Sequence, residues 1–183
     1  MLMTTYVSLL RGINVGGQKL IKMDALRKLY EGMGFHNVTT YLQSGNVLFK
    51  AEGCGIPMLE RNISIRIEQD FGFKVPVIVL TTGKLDQVID NNPLLKDPEK
   101  DESFFHVTFL SSSPLGYDNK AIENRKQDGE KIIFSDDVIY LYCPNGYGRT
   151  KLTNNFLETK LKVGATTRNW KTAKELLKIA EAI

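Results

Sequence analysis

The order of the predicted elements constrains the fold of this chain most strongly, because the order β-α-β-β-α-β occurs twice. In the first half, apolar runs and alternation predict strands over residues 5–10, 38–43, 46–50 and 75–80. Apolar residues at helical spacing predict helices over residues 23–33 and 59–71. Isoleucines 63, 65 and 67 also alternate as they would in a strand, which leaves that reading open for the second helix.

The second half repeats this order. Strands are predicted over residues 104–110, 131–134, 138–142 and 165–167, and helices over 118–126, 155–162 and 170–183. The repetition predicts an α+β fold of two tandem ferredoxin-like (α-β plait) units with antiparallel sheets and a C-terminal helix. The first unit would span residues 1–82, a connector with a short helix 83–102, and the second unit with the closing helix 103–183. Because the halves match in pattern rather than in residues, a single mixed sheet stays the alternative.

Length and composition exclude several classes of protein. The 183 residues are 42% hydrophobic and 25% charged, as in an ordinary globular protein long enough to bury a core without a metal or a disulfide. No cofactor is expected. No apolar run approaches the ~20 residues of a membrane span, and no basic segment precedes the first apolar stretch. We therefore expect a cytoplasmic protein in which Cys54 and Cys143 are reduced thiols.

Charge is distributed unevenly along the chain. Residues 81–145 carry 7 Lys and Arg against 12 Asp and Glu, whereas residues 146–183 carry 8 against 3. Such asymmetry is typical of a basic end that meets a polyanion. It is equally typical of acidic and basic segments that face each other within one fold.

The predicted strand order 4-1-3-2 brings the loop over residues 11–22 next to the turn at 43–46. Gly12 and Gly17 have the spacing of a phosphate loop, but Gln18 stands where that loop requires lysine. A backbone nest with Arg11 and Lys19 around an anion, and plain turn geometry, are the two remaining interpretations. The candidate ligand-binding residues here are Arg11, Asn14, Gly16, Gly17, Gln43, Ser44 and Asn46.

The same topology places residues 144–153 beside the exit of the last strand, at 166–171. Cations and aromatic residues mix there, as they do in sites for phosphate backbones and stacked bases. The candidate ligand-binding residues are Tyr147, Arg149, Lys151, Arg168, Asn169, Trp170 and Lys171. The structural alternative is a helix capped by Thr167, with Trp170 packed into the core.

Catalysis has little support in the sequence, and the catalytic residues stay unknown. His36 and His106 stand at no motif spacing, so a structural or surface role is expected for both. Asp136 and Asp137 fit a hairpin turn. Tyr140 and Tyr142 share one face of a strand, where a core position is favoured over a base-stacking platform.

Several stretches resemble one bacterial family. They are RGINVGG (11–17), YLQSGNVLF (41–49), NP (92–93), HVTFL (106–110), YGRTKLTNNFLE (147–158) and ATTRNWKT (165–172). In these stretches the chain resembles the family called domain of unknown function 1697, over residues 6 to 177. The resemblance implies an intracellular bacterial protein of two ferredoxin-like units and implies no activity.

The two loop clusters lead to three functional hypotheses. The first is a cytosolic protein that binds an anionic ligand, either a nucleotide or a nucleic acid. The second is an enzyme acting on a small phosphorylated substrate, with Arg11 and Arg168 as electrostatic clamps. The third is a protein-interaction or structural module. The ligand and the oligomeric state do not follow from the sequence.

Overall fold

The fold is mixed α+β, with two four-stranded antiparallel sheets and a C-terminal helix. It was obtained as a computed structural model that describes residues 3–53 and 55–183. The predicted thiol of Cys54 lies outside the described residues. The chain forms two compact units: residues up to Gln87 together with Glu175–Ile183 make the first unit, and Val88–Lys174 make the second.

The first sheet has the strand order β2-β3-β1-β4, which is the order expected from the sequence. Its elements are β1 (Met3–Leu10), α1 (Met23–Gly32), β2 (His36–Tyr41), β3 (Asn46–Glu52), α2 (Ile56–Phe71) and β4 (Val77–Thr81). A further helix, α3 (Thr82–Asp90), follows β4. Pro76 directly precedes β4, and β4 is an edge strand as the proline predicts.

The second sheet has the equivalent order β6-β7-β5-β8, so the two halves do not share one mixed sheet. Its elements are β5 (Phe105–Leu110), α4 (Asn119–Glu123), β6 (Lys131–Ser135), β7 (Val138–Tyr142), α5 (Asn154–Leu161), β8 (Ala165–Asn169) and the closing helix α6 (Trp170–Ala182). Short 3₁₀ helices lie at Pro93–Lys96, Glu102–Phe104 and Tyr147–Arg149.

Helical spacing prevails over strand-like alternation in α2. Leu59, Ile63 and Ile67 are buried, whereas Ile65 is 42% exposed. A period of four residues places the first three on one face of the helix, against the core of the first unit. Gly72, in the left-handed conformation at φ 81°, ends the helix.

The central strands of both sheets are buried on both faces. In β1, Tyr6 and Leu10 belong to the core that α1 and α2 cover, and Val7 and Leu9 on the opposite face are buried too. In the second sheet, Tyr140 is buried and its hydroxyl donates to the Val88 carbonyl at 2.8 Å. Tyr140 is therefore a core residue, as favoured from the sequence. A ligand can therefore reach these strands only at their ends and at the loops that follow them.

Several boundaries differ from the predicted ones, two of them at candidate residues. His36 begins β2, opposite Lys50, instead of lying in a loop. Strand β8 continues to Asn169 instead of ending at 167, because Arg168 and Asn169 pair with β5. This pairing joins residues distant in sequence, which local patterns do not reveal.

Gly45 is the position where the first unit tolerates a side chain least. Its φ is 81°, and an added Cβ would lie 2.7 Å from Ile13 Cδ1 and 2.8 Å from Leu10 Cβ. We expect Gly45→Ala to lower the free energy of unfolding by about 2–4 kcal/mol through strain and overpacking. Chemical denaturation followed by circular dichroism measures this. Gly34→Ala is the matched control, since its φ is 83° with nothing within 4 Å, and an equal loss in both variants would contradict the role of close packing.

Candidate functional site

The loop after β1 and the β2–β3 turn lie together, as the topology predicts. The Leu10 amide donates to the Gly45 carbonyl at 2.8 Å, and Asn14 Nδ2 donates to the Gln43 carbonyl at 2.9 Å. Residues 11–22 and 42–45 are called the first-unit loops below. Their adjacency is confirmed, whereas their role in ligand binding stays a prediction.

Asn14 holds the first-unit loops in shape. Its Nδ2 also donates to the Ile21 carbonyl at 3.0 Å, and its Oδ1 accepts from the Ile21 amide at 2.8 Å. Its φ of 54° lies in the left-handed region, which asparagine tolerates better than most residues. The side chain thus acts as an internal clamp that joins both ends of the loop to the hairpin.

Several other residues in the first-unit loops or directly next to them are also engaged within the protein. Asn46 is fully buried, and its Nδ2 donates to the Tyr41 carbonyl at 2.7 Å and to Ser44 Oγ at 3.1 Å. Lys19 Nζ donates to the Lys74 carbonyl at 2.7 Å.

Gly16 and Gly17 have φ of 58° and 74° in a turn that a Val15–Gln18 bridge closes, so turn geometry accounts for both glycines. Arg11 is half-buried, and its amide donates to the Pro76 carbonyl at 2.9 Å.

A cavity of about 420 Å³ opens beside the first-unit loops. It is lined by Asn14, Leu20, Ile21, Lys22, Met23 and Gln43. Val15 and Leu20 are each 66% exposed and Leu42 is 51% exposed, so large apolar side chains reach solvent on these loops. The sequence analysis missed the cavity, because none of its apolar residues was among the candidates.

At the end of the second sheet, the loop after β7 meets the exit of β8. The ring of Tyr147 stacks on His106 at 4.8 Å between centroids, and His106 is the register partner of Asn169. Further along, Thr167 Oγ1 donates to Asn154 Oδ1 at 2.6 Å. The predicted meeting of the two segments is confirmed. Residues 143–154, the end of β8 and the start of α6 are called the second-unit end.

Two of the predicted ligand residues in this region point inward. Trp170 is only 1% exposed, and its Nε1 donates to Glu102 Oε2 at 3.0 Å. Arg168 is 6% exposed, and its guanidinium donates to Thr166 Oγ1 at 2.8 Å and to the Thr167 carbonyl at 3.0 Å. Both side chains hold the strand end and the helix start in place.

The predicted cap of α6 was assigned to the wrong residue. Thr167 lies in β8, and its hydroxyl bonds to Thr108 Oγ1 at 2.7 Å and to Asn154. Asn169 instead accepts a hydrogen bond from the Lys171 amide on its Oδ1 at 2.8 Å. The first turn of α6 is therefore stabilised by Asn169, because the strand occupies the residues before it.

Three cations of the second-unit end face solvent. Arg149, Lys151 and Lys171 are exposed, and none makes an ion pair with a described residue. Between the first two, Thr150 is buried and its Oγ1 accepts from the buried Leu152 amide at 3.1 Å. This in-and-out alternation fixes the backbone and turns Arg149 and Lys151 outward.

His106 lies beneath this surface with a defined tautomer. Its Nδ1 is 3.2 Å from the Phe104 carbonyl, which only accepts, so Nδ1 carries the proton. Burial lowers the pKa of His106, only partly offset by that hydrogen bond, so the ring is neutral at pH 7 with a lone pair on Nε2. The sequence analysis gave His106 a structural or surface role. The contact that places His106 at the second-unit end is its ring stacking with Tyr147. Tyr147 is 41 positions away in the sequence, so local patterns do not reveal this contact.

Cys143 is a free thiol and is buried. Burial, with a smaller effect of the Glu130 charge, raises the pKa of Cys143 to about 12. The reactive thiolate is therefore scarce at neutral pH. Across residues 3–53 and 55–183, no group of three or more His, Cys, Asp or Glu residues is placed to hold a metal ion.

None of the helices in the described part of the chain is long and apolar enough to cross a bilayer.

The fold and these surfaces define a two-unit α+β protein with candidate sites on loops at strand ends. The chain belongs to the family described as "Protein of unknown function (DUF1697)", whose model matches residues 3–140. The stretches 147–158 and 165–172 that carried part of the resemblance lie beyond the matched range.

Among solved structures, the conserved bacterial protein SP0830 from Streptococcus pneumoniae is similar, with 23% identity and a TM-score of 0.71. The match covers 98% of this chain and 99% of that one. This likeness shows a shared fold. No curated protein matches the chain.

Removal of the Asn14 amide tests its role as a clamp. Asn14→Ala deletes three hydrogen bonds at an αL position, and we expect the free energy of unfolding to fall by about 2–4 kcal/mol. Chemical denaturation measures the change. Gln43→Ala is the control, since the Gln43 bond to Asn14 uses only the backbone carbonyl; an equal loss in that variant would contradict the clamp.

The buried histidine makes stability depend on pH. Because its folded pKa is lower than the unfolded value of 6.5, the unfolded state binds more protons just below that pH. Wild-type stability therefore falls as pH drops below about 6.5, with a slope of at most ~1.4 kcal/mol per pH unit from this group. In His106→Gln this contribution is absent, and denaturation at pH 7, 6 and 5 should give a shallower dependence. Parallel curves for the two proteins would contradict a lowered pKa.

Proposed function

We propose that this protein binds single-stranded nucleic acid through phosphate contacts at the second-unit end. The observation that carries the proposal is the outward set of Arg149, Lys151 and Lys171, which lack acidic partners among the described residues. Lysine and arginine that face solvent without a carboxylate are available to replace the counterions of a phosphate backbone.

Two carboxylates of the second unit are engaged by partners other than the three exposed cations. Glu102 accepts from Lys174 at 2.7 Å and from Trp170, and these contacts lower the pKa of Glu102. Glu158 Oε1 accepts from the Ala165 amide at 3.0 Å. Their negative charges are therefore directed to partners within the unit instead of toward the three exposed cations.

The aromatic pair suits an extended, unstacked strand. Tyr147 is half-buried and its ring stacks on His106, which holds the ring in one orientation. A base that stacks on Tyr147 therefore costs little additional conformational entropy of this side chain. A base that stacks on a fixed ring gains binding energy with little dependence on sequence. The proposal therefore favours backbone and stacking contacts over readout of particular bases.

The setting of this site is also part of the proposal. We infer that each unit is ferredoxin-like, on the basis of the element order and the strand order shared by both sheets, and that the tandem arose by duplication. A cytoplasmic location, which the sequence analysis predicts, fits a nucleic-acid ligand. The central strands are buried on both faces, which distinguishes these units from RNA-binding modules that use an open sheet face.

One observation favours an enzyme as the second candidate. The neutral His106 offers a lone pair on Nε2 next to a cationic surface, as a general base for a phosphorylated substrate would. The sequence-based enzyme hypothesis used Arg168 as an electrostatic clamp, but Arg168 is buried and hydrogen-bonded to Thr166 and Thr167. In the enzyme proposed from the structure, His106 as the general base is therefore the main catalytic group. Turnover of a phosphorylated substrate that disappears in His106→Gln while binding persists would support it.

Charge removal tests the nucleic-acid proposal. For Arg149→Gln/Lys151→Gln/Lys171→Gln we expect the affinity for a single-stranded oligonucleotide to fall roughly 100-fold at ~0.1 M salt, as about three phosphate contacts are lost. The slope of log affinity against log salt should decrease by about 2. Fluorescence anisotropy with labelled RNA and DNA measures both quantities.

The control keeps the net charge of the variant and moves the substitutions elsewhere in the second unit. Lys120→Gln/Lys131→Gln/Lys160→Gln removes three exposed lysines on α4, β6 and α5. It should bind like the wild type. Equal weakening in both triple variants would mean that only overall charge matters, and no binding by the wild type would leave the interaction-module hypothesis in place.

A further inference from the structure

The cavity beside the first-unit loops lies apart in the chain from the residues of the proposed nucleic-acid site. All of its lining residues fall between Asn14 and Gln43. Its volume of about 420 Å³ lies within the range typical of small-molecule sites. Such a site takes one compact ligand rather than a polymer.

We propose that this cavity binds a small carboxylate with an aliphatic body. Leu20, Ile21 and Met23 provide apolar walls, and Lys22 and Gln43 provide the polar groups. An apolar wall takes a hydrocarbon chain, while an ammonium and an amide N–H at the same opening take a carboxylate.

The charge at the cavity favours an anion of low charge. Lys22 is exposed and makes no ion pair with any residue in the described ranges. Asp24, the nearest acid in sequence, is bonded to Arg27 at 2.6 Å and to Lys28 at 3.1 Å. These partners lower the pKa of Asp24 and offset its charge locally. One free cation with apolar neighbours fits a monocarboxylate better than a phosphate dianion.

The walls are formed before any ligand arrives. Asn14 joins Ile21 to Gln43, so the two sides of the cavity are tied by hydrogen bonds of 2.8–3.0 Å. Lys19 ties the base of the loop to the Lys74 carbonyl at 2.7 Å. The first turn of α1 lies at the same wall, and Lys22 at its N-cap provides no side-chain acceptor for its N–H groups. A preformed site loses little entropy on binding.

The carboxylate could come from a free aliphatic acid or from the C-terminus of a peptide that ends in leucine. Both present the same headgroup and a branched aliphatic chain, and they differ only in the rest of the molecule. The exposed Val15 and Leu42, which do not line the cavity, extend apolar surface on the same loops, and a peptide would contact them whereas a free acid would not.

A titration with 4-methylpentanoate tests the proposal on the full chain, with amide chemical shifts as the readout. We expect saturable shifts at Met23 and Gln43, and affinity at least about tenfold weaker for the neutral 4-methylpentanamide, since the charge-assisted contact is lost. An acetylated tetrapeptide ending in leucine and its C-terminal amide form the second arm. Tighter binding of the free-acid peptide than of 4-methylpentanoate would identify a chain terminus as the source.

Two variants distinguish binding in the cavity from a non-specific effect of positive charge. Lys22→Gln should weaken 4-methylpentanoate about tenfold, whereas Lys160→Gln, an exposed lysine on α5, should leave it unchanged. Neither variant removes a residue of the nucleic-acid site, so oligonucleotide affinity reports separately on the proposed function. Absence of saturable shifts with the acid and the peptide, or equal affinity for acid and amide, would overturn the proposal.

Discussion

Burial of the central strands on both faces is the constraint on which the rest of this structure depends. Side chains of β1 alternate between two apolar environments, so both Tyr6 and Val7 are removed from water. At roughly 25 cal/mol per Å² of apolar surface, such two-sided burial dominates the stability of the sheet. It also removes the faces of the central strands as binding surfaces. Specific contacts with a ligand are then left to loops at strand ends, where polar groups reach solvent.

Loops at strand ends are useful as sites only when their shape is fixed, and each unit fixes its loop differently. In the first unit, one asparagine satisfies three backbone groups, and Gly45 lets the hairpin approach Ile13 closely. In the second unit, Trp170 and Arg168 anchor the exit of β8 from within. Three of the residues that the sequence offered as ligand contacts, Asn14, Arg168 and Trp170, therefore carry structural work instead.

Local patterns predicted the elements and the topology well, because periodicity and glycine positions report on burial near each residue. Strand order then followed, and with it the meeting of Asn14 with Gln43 and of Tyr147 with the end of β8. What the sequence did not reveal depends on distant partners. Arg168 belongs to a strand because β5 pairs with it. For Trp170 the sequence left a ligand contact and a core position open; the structure shows the core position, where Glu102, 68 positions away, accepts its N–H.

A stretch that serves both the fold and a ligand must divide its residues between them. From Arg149 to Leu152, exposed and buried side chains alternate, and Lys171 follows the buried Trp170. Inward members such as Trp170 cannot be replaced without loss of packing worth about 3–5 kcal/mol, so loss of binding in such variants reports on folding. The outward cations cost little stability when removed. Because their neighbours fix the backbone independently, a change in affinity at Arg149, Lys151 or Lys171 reports on the contact itself.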